Sequence, residues 1–246
     1  MDSRRTILVT GASRGIGAET ARLLAERGNH VVINYREKRK RAEDLVSEIA
    51  AAGGLATAIQ ADLSKPADVS EMLCTITKAH GGIDGLVLNA SGGLERGTPD
   101  DYPMAINRDA QAHLLDAALP HLRATGRVVF VTSHQAHFVD RHEVPKDYEP
   151  VAVSKRAGED VIRERLPVLL GADVGLSIVS GDMIEGTIIV RLLERRDPNA
   201  VDARRSRVPL PTVEQFARAV ADEAVRRDLV PRTLFIGGSD YLAGSL

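Results

Sequence analysis

The chain has a single cysteine, Cys74, no tryptophan, and aromatic side chains at only 3% of its 246 positions. One cysteine excludes an internal disulfide and any site built from several thiolates, and it suits a reducing compartment. No run of about 18 apolar residues occurs, so no membrane-spanning helix is expected. The first residues also lack the apolar core of a secretory leader. A formal net charge of −2 removes the electrostatic case for nucleic acid or an anionic membrane as partner. Arginines are numerous, but acidic residues match them locally between Arg39 and Glu48, the pattern of a solvated helix face. Internal repeats, low-complexity tracts and shifts of composition are missing too. These absences predict one cytoplasmic domain over residues 1–246.

What the chain does have is an alternation of short apolar runs with amphipathic segments. Ile7-Leu8-Val9 breaks into Thr10-Gly11-Ala12-Ser13-Arg14-Gly15-Ile16-Gly17, and an amphipathic stretch follows from Glu19 to Arg27. This reads as strand, turn and helix. Gly11, Gly15 and Gly17 carry no side chains, so backbone N–H groups can approach an anion closely, and the helix start adds a favourable dipole. A glycine-rich turn in that context points to a nucleotide. Further strands are predicted at 30–34, 55–61, 84–89, 127–133, 174–179 and 233–236. Helices are predicted at 36–52, 66–80, 104–125, 150–169 and 212–227. Strict alternation implies a doubly wound parallel sheet of about seven strands with helices on both faces. The least regular stretches, 91–103, 134–149 and 181–211, follow strand ends, where such folds keep their ligands.

With these residues the sequence resembles the short-chain dehydrogenase/reductase family, over nearly its whole length. Thr10 to Gly17 matches the family's T-G-x-x-x-G-x-G cofactor turn. Asp62-Leu63 matches the acidic position that holds the adenine ring. Asn89-Ala90-Ser91-Gly92 is similar to N-N-A-G, with Leu88 and Ser91 as departures. Asn107 falls where the family has a structural and proton-relay Asn, Ser133 where a Ser binds the substrate carbonyl, and Ser154-Lys155 where the Lys holds the nicotinamide ribose. The resemblance implies a single-domain Rossmann fold and a nicotinamide cofactor. After the sixth strand it implies that Gly181, Ile184 and Thr187 lie on the nicotinamide side. It also implies a homodimer through the helices at 104–125 and 150–169, or a homotetramer.

The cofactor's identity follows from charge. An acidic residue at the end of the second strand selects the NAD ribose; here stand Asn34-Tyr35-Arg36, with no carboxylate before Glu37. Tyr35 and Arg36 are therefore placed at the cofactor, and Arg36 with Arg14 offers donors to a 2′-phosphate. NADP(H) is favoured over NAD(H). The alternative is that both are ordinary surface arginines.

One departure bears on chemistry. The family's catalytic Tyr lies four residues before the Lys, and here that position is Val151, which cannot transfer a proton. Tyr148, ahead of Pro150, is the expected substitute if the loop folds it back toward Ser133. His134, His137 and His142 in the same loop are alternative donors, and no metal site is expected from them. Residues 181–211, rich in arginine, are expected to form a mobile substrate lid or a solvated loop. Two functions result: an NADP(H)-dependent oxidoreductase on a carbonyl or alcohol, with Asn107, Ser133, Tyr148 and Lys155 as its catalytic group, or a dinucleotide-binding protein without redox turnover (sensor, partner subunit or redox-neutral catalyst).

Overall fold

In the computed structural model, residues 4–95, 97–196 and 198–242 are described. Seven strands form one parallel sheet in the order β3-β2-β1-β4-β5-β6-β7. They are β1 (Thr6–Val9), β2 (His30–Tyr35), β3 (Leu55–Gln60), β4 (Ile83–Leu88), β5 (Leu122–Ser133), β6 (Val174–Gly181) and β7 (Arg232–Ile236). Side chains alternate across each strand, so both faces must be covered. Ile7, Val9, Val31 and Ile33 point to one face and pack with Leu24, Phe216 and Val220. Leu8 and Val32 point to the other and pack with Leu73, Leu114 and Ile162. The first face is covered by α1 (Gly15–Glu26), α2 (Arg39–Ala51) and α11 (Val213–Ala224). The second is covered by α3 (Pro66–His80), α5 (Ala110–Ala118) and α7 (Glu149–Glu164). None of the helices is long and apolar enough to cross a membrane, among the described residues.

The strand order reverses between β1 and β4, so the ends of these two strands leave a crevice for a ligand. Val9 pairs with Val87, which brings the glycine turn beside Asn89 and Ala90.

Three predicted elements differ. The helix expected to run to Thr125 ends at Ala118, where Leu119–His121 tighten into a 3-10 turn. Pro120 lies inside that turn, and β5 starts at Leu122. The same helix begins earlier, as α4 (Tyr102–Met104), and passes through a π turn at Ala105–Asp109. The single helix expected over 150–169 is two, α7 and then α8 (Leu166–Gly171), with Pro167 in the first turn of α8.

The third difference is the stretch 181–211, which is no open loop. It folds into α9 (Ile188–Arg196) and α10 (Pro198–Arg207). Val190, Leu193 and Val201 from these helices share a buried cluster with Ala136, Tyr148, Val151 and Met183. Arg204 ties α10 down. Its Nε donates to Asp182 at 3.0 Å and its Nη2 to Asp240 at 2.8 Å, and its guanidinium lies 4.6 Å from the Tyr241 ring centre. Arg204 and Asp182 are both buried, so this is a desolvated ion pair in which loss of either partner leaves a buried charge uncompensated. Asp197 lies outside the described residues.

Candidate active site

The glycine turn is shaped by its neighbours. Gly11 has φ +61° and Gly15 φ +56°, the left-handed region that suits glycine. A Cβ on Gly17 would stand 2.6 Å from Asn89 Nδ2 and 2.9 Å from Ala12 Cα, so no side chain fits. Thr10 and Asn89 lock the turn to β4: the N–H groups of Asn89 and Ala90 both donate to Thr10 Oγ1 at 3.0 Å, and Asn89 Nδ2 donates to Thr10 O at 2.8 Å. Asn34 braces it from β2, where Oδ1 accepts from Gly11 N–H at 3.3 Å and Nδ2 donates to Ala61 O at 3.1 Å. The loop from Thr10 through Arg14 then opens α1 with no side-chain cap, leaving N–H groups of its first turn for an anion. This cradle fits a dinucleotide diphosphate.

On the adenosine side, a polar cavity of about 440 Å³ is lined by Arg36, Glu37, Gln60, Asp62, Lys65 and acidic residues of α3. Arg36 Nη1 donates to Tyr102 OH at 2.6 Å, and its Nε lies 3.1 Å from Glu37. Asp62 accepts from Ser64 N–H and Oγ at 3.1 and 2.7 Å. Two residues assigned here by sequence face elsewhere. The Tyr35 side chain is buried in the core of the first face, and Leu63 in that of the second. The alternation of β2 sends Tyr35 to the side of Ile33 and Val31, which spacing alone did not resolve.

The catalytic candidates come together in part. Ser133, at the end of β5, and Tyr148 are 3.2 Å apart, Oγ to OH, and Ala136 N–H donates to the same Oγ at 3.2 Å. The residues between them form a single turn, α6 (His134–His137), and a loop back to Tyr148 at the start of α7. That loop folds Tyr148 onto Ser133. Burial pushes the Tyr148 phenol up from its usual value, with the Ser133 hydrogen bond acting in the opposite direction. Lys155 is buried on α7, and burial lowers its ammonium to about 8 although Glu159 opposes the shift. Among the described residues nothing hydrogen-bonds that ammonium.

Asn107 sits within the π turn. Its Nδ2 donates to Gly92 O and to Ser154 Oγ, each at 2.9 Å, and its Oδ1 accepts from Gly92 N–H at 3.2 Å. Its side chain is thus a brace between the 89–95 loop and α7, not a free relay. The histidines are engaged as well. His134 Nδ1 pairs with Ser180 Oγ at 2.9 Å, His137 Nδ1 with Glu159 at 2.8 Å, and His142 Nε2 with Tyr241 O at 3.2 Å. Burial lowers His134 to about 4, which disfavours its charged form near pH 7. Past β6, Ile184 is buried beside Phe216, and a Cβ on Gly181 would stand 2.5 Å from the Phe216 ring. Thr187 Oγ1 donates to Ile184 O at 2.8 Å and sits at the start of α9. Ile184 therefore serves packing, and Thr187 serves the helix end.

A second cavity, about 500 Å³, opens between the cofactor turn and α9. Arg14, Ser91, Gly92, Leu94, Glu95 and Val151 line one side, and Ile188, Ile189, Leu192 and Arg195 the other. Val151 faces it; Ser133 and Tyr148 are not among the lining residues.

The family follows from comparison. Residues 5–145 match the model of the short chain dehydrogenase family. The chain belongs to this family. The match ends before Tyr148. Among curated proteins, the hydroxynaphthalene reductase-like protein Arp2 of Metarhizium robertsii is 38% identical over 139 residues, 54% of this chain and 52% of that protein. The chain thus spans about half the length of such relatives. A short-chain dehydrogenase from Burkholderia cenocepacia in complex with NADP is 29% identical, with a TM-score of 0.76 over 95% of this chain and 96% of that one. The 3-oxoacyl-[acyl-carrier protein] reductase from Brucella melitensis, in complex with NAD, shares the fold at a TM-score of 0.81, over 98% of this chain and 99% of that one, with 21% identity. The relatives named here are a reductase-like protein and two short-chain enzymes, one bound to NADP and one to NAD.

Proposed function

We propose that this chain is an NADP(H)-dependent reductase of a small carbonyl compound, working in reverse on the alcohol, with a remodelled proton donor. The observation that carries this reading is the hydrogen bond of 3.2 Å between Ser133 Oγ and Tyr148 OH. Gly11, Ser13, Gly15, Ile16 and Gly17 hold the diphosphate, Asn89, Ala90 and Ser91 border the nicotinamide ribose, and Asp62 takes the adenine. Gly181, Ile184 and Thr187 set the chain path beyond β6. Arg14 and Arg36 supply the charge for a 2′-phosphate. The nicotinamide, when bound, supplies or accepts the hydride. Ser133 polarises the carbonyl oxygen, Tyr148 gives it a proton, Lys155 orients the ribose and adds positive charge, and Asn107 braces the wall. We further propose a cytoplasmic homodimer or homotetramer, and α9–α10 as a lid over the substrate.

A second reading, binding without redox turnover, draws on a specific feature. Tyr148 is 3% exposed beneath the cluster that α9 and α10 cover, while Val151 faces the cavity. The reductase reading therefore requires α9 to lift. Screening carbonyl compounds for NADPH oxidation, then comparing Tyr148→Phe, separates the two. The reductase reading expects turnover to fall about a hundredfold to ten-thousandfold with NADPH affinity unchanged. Turnover equal to wild type removes Tyr148 as donor, and NADPH binding with no oxidation throughout the screen favours the second reading.

A further inference from the structure

Along α9 the residues that line the 500 Å³ cavity are Ile188, Ile189, Leu192 and Arg195. Ile188, Leu192 and Arg195 follow one another at i, i+4 and i+7, so they form one stripe on the helix. The stripe is apolar for two turns and then ends in a cation. Leu94 and Val151 give the opposite wall the same character. Ile188 keeps half of its surface exposed, an apolar side chain left open within the cavity.

Two arginines of α10 have carboxylates. Arg204 is held by Asp182 and Asp240, and Arg205 by Glu185 and Glu194. Arg195 has no hydrogen bond or ion pair among the described residues. Glu95, the carboxylate across the cavity, takes the Gly93 N–H at 2.6 Å. Arg14 is the other cation of the lining, and it belongs to the cofactor turn.

We infer that Arg195 is the anion-recognising end of this cavity, and that the carbonyl compound bound here has an apolar body and a carboxylate. This rests on the reading that the chain reduces a small carbonyl compound beneath the α9–α10 lid. The apolar stripe takes the body, and the guanidinium, exposed at the rim, offers a fork to a carboxylate, a pairing worth about fivefold in affinity there.

The test is calorimetric binding of 4-acetylbenzoate and its methyl ester to the NADP(H)-loaded protein. Wild type is expected to bind the acid about fivefold more tightly than the ester. Arg195→Gln is expected to erase that preference and leave ester and NADP(H) affinity unchanged, and Arg195→Lys to restore part of it. The inference is overturned if wild type shows no measurable preference for the acid, or if Arg195→Gln keeps it. It is also overturned if Arg195→Gln weakens NADP(H) as much as the acid, because the cation then serves the cofactor. Binding of the acid without its reduction by NADPH would leave Arg195 in this role and sink the reductase reading instead.

Discussion

Gly158 on α7 lies directly against the carbonyl oxygen of Asn107 in the π turn: a Cβ there would stand 2.0 Å from that oxygen. The contact sets how closely α7, with Lys155 and Ser154, approaches the loop that Asn107 braces. A methyl group would force the two helices apart. Gly158→Ala is expected to cost about 2 kcal/mol or more through overpacking, read as a lower Tm and a lower midpoint in denaturant. A variant as stable as wild type would mean that the helices separate freely.

Cofactor choice turns on Arg36. Its guanidinium is shared by Tyr102 OH and Glu37, and must turn from them to meet a 2′-phosphate. Arg36→Ala is expected to weaken NADP(H) about tenfold or more while NAD(H) changes little, measured by fluorescence titration. Equal weakening of both would remove the 2′-phosphate role.

Arg204 joins α10, the end of β6 and the turn carrying Asp240. Arg204→Ala leaves Asp182 buried without its cation, a change expected to cost about 3–5 kcal/mol. The same change should speed proteolysis within residues 188–207, since the clamp that holds α9 and α10 is gone. Limited digestion with mass spectrometry checks this; unchanged cleavage would show that the apolar cluster alone retains the helices.

Acid stability is tied to His134. Its folded value of about 4 lies below the ordinary 6.5, so the unfolded chain takes up a proton at higher pH than the native one. Stability from this group is therefore full above pH 6.5 and is lost as pH falls from 6.5 toward 4. The whole loss is at most about 3 kcal/mol. His134→Gln should flatten the difference in unfolding free energy between pH 7 and pH 4.5, followed by circular dichroism. A slope identical to wild type would assign the acid sensitivity to carboxylates.

Sequence alone determined the alternation of strands and helices, the parallel sheet, the glycine turn and the Val151-for-Tyr departure. Each is local: a run of apolar residues, a φ that needs glycine, a fixed four-residue spacing on a helix. Sequence also reached the pairing of Tyr148 with Ser133 as an expectation, because Pro150 marks where the helix starts. What needed the tertiary structure was everything set by long-range contact. The pleat of β2 turned Tyr35 into the core. The partners Asp182 and Asp240, distant in the chain, made an arginine-rich stretch into two anchored helices. Partners far along the chain engaged the histidines: Ser180 for His134, Glu159 for His137 and Tyr241 for His142. A charge pattern states what a segment offers to water, and only the fold decides which charges meet a partner; Arg204 met two, and Arg195 was left facing the cavity.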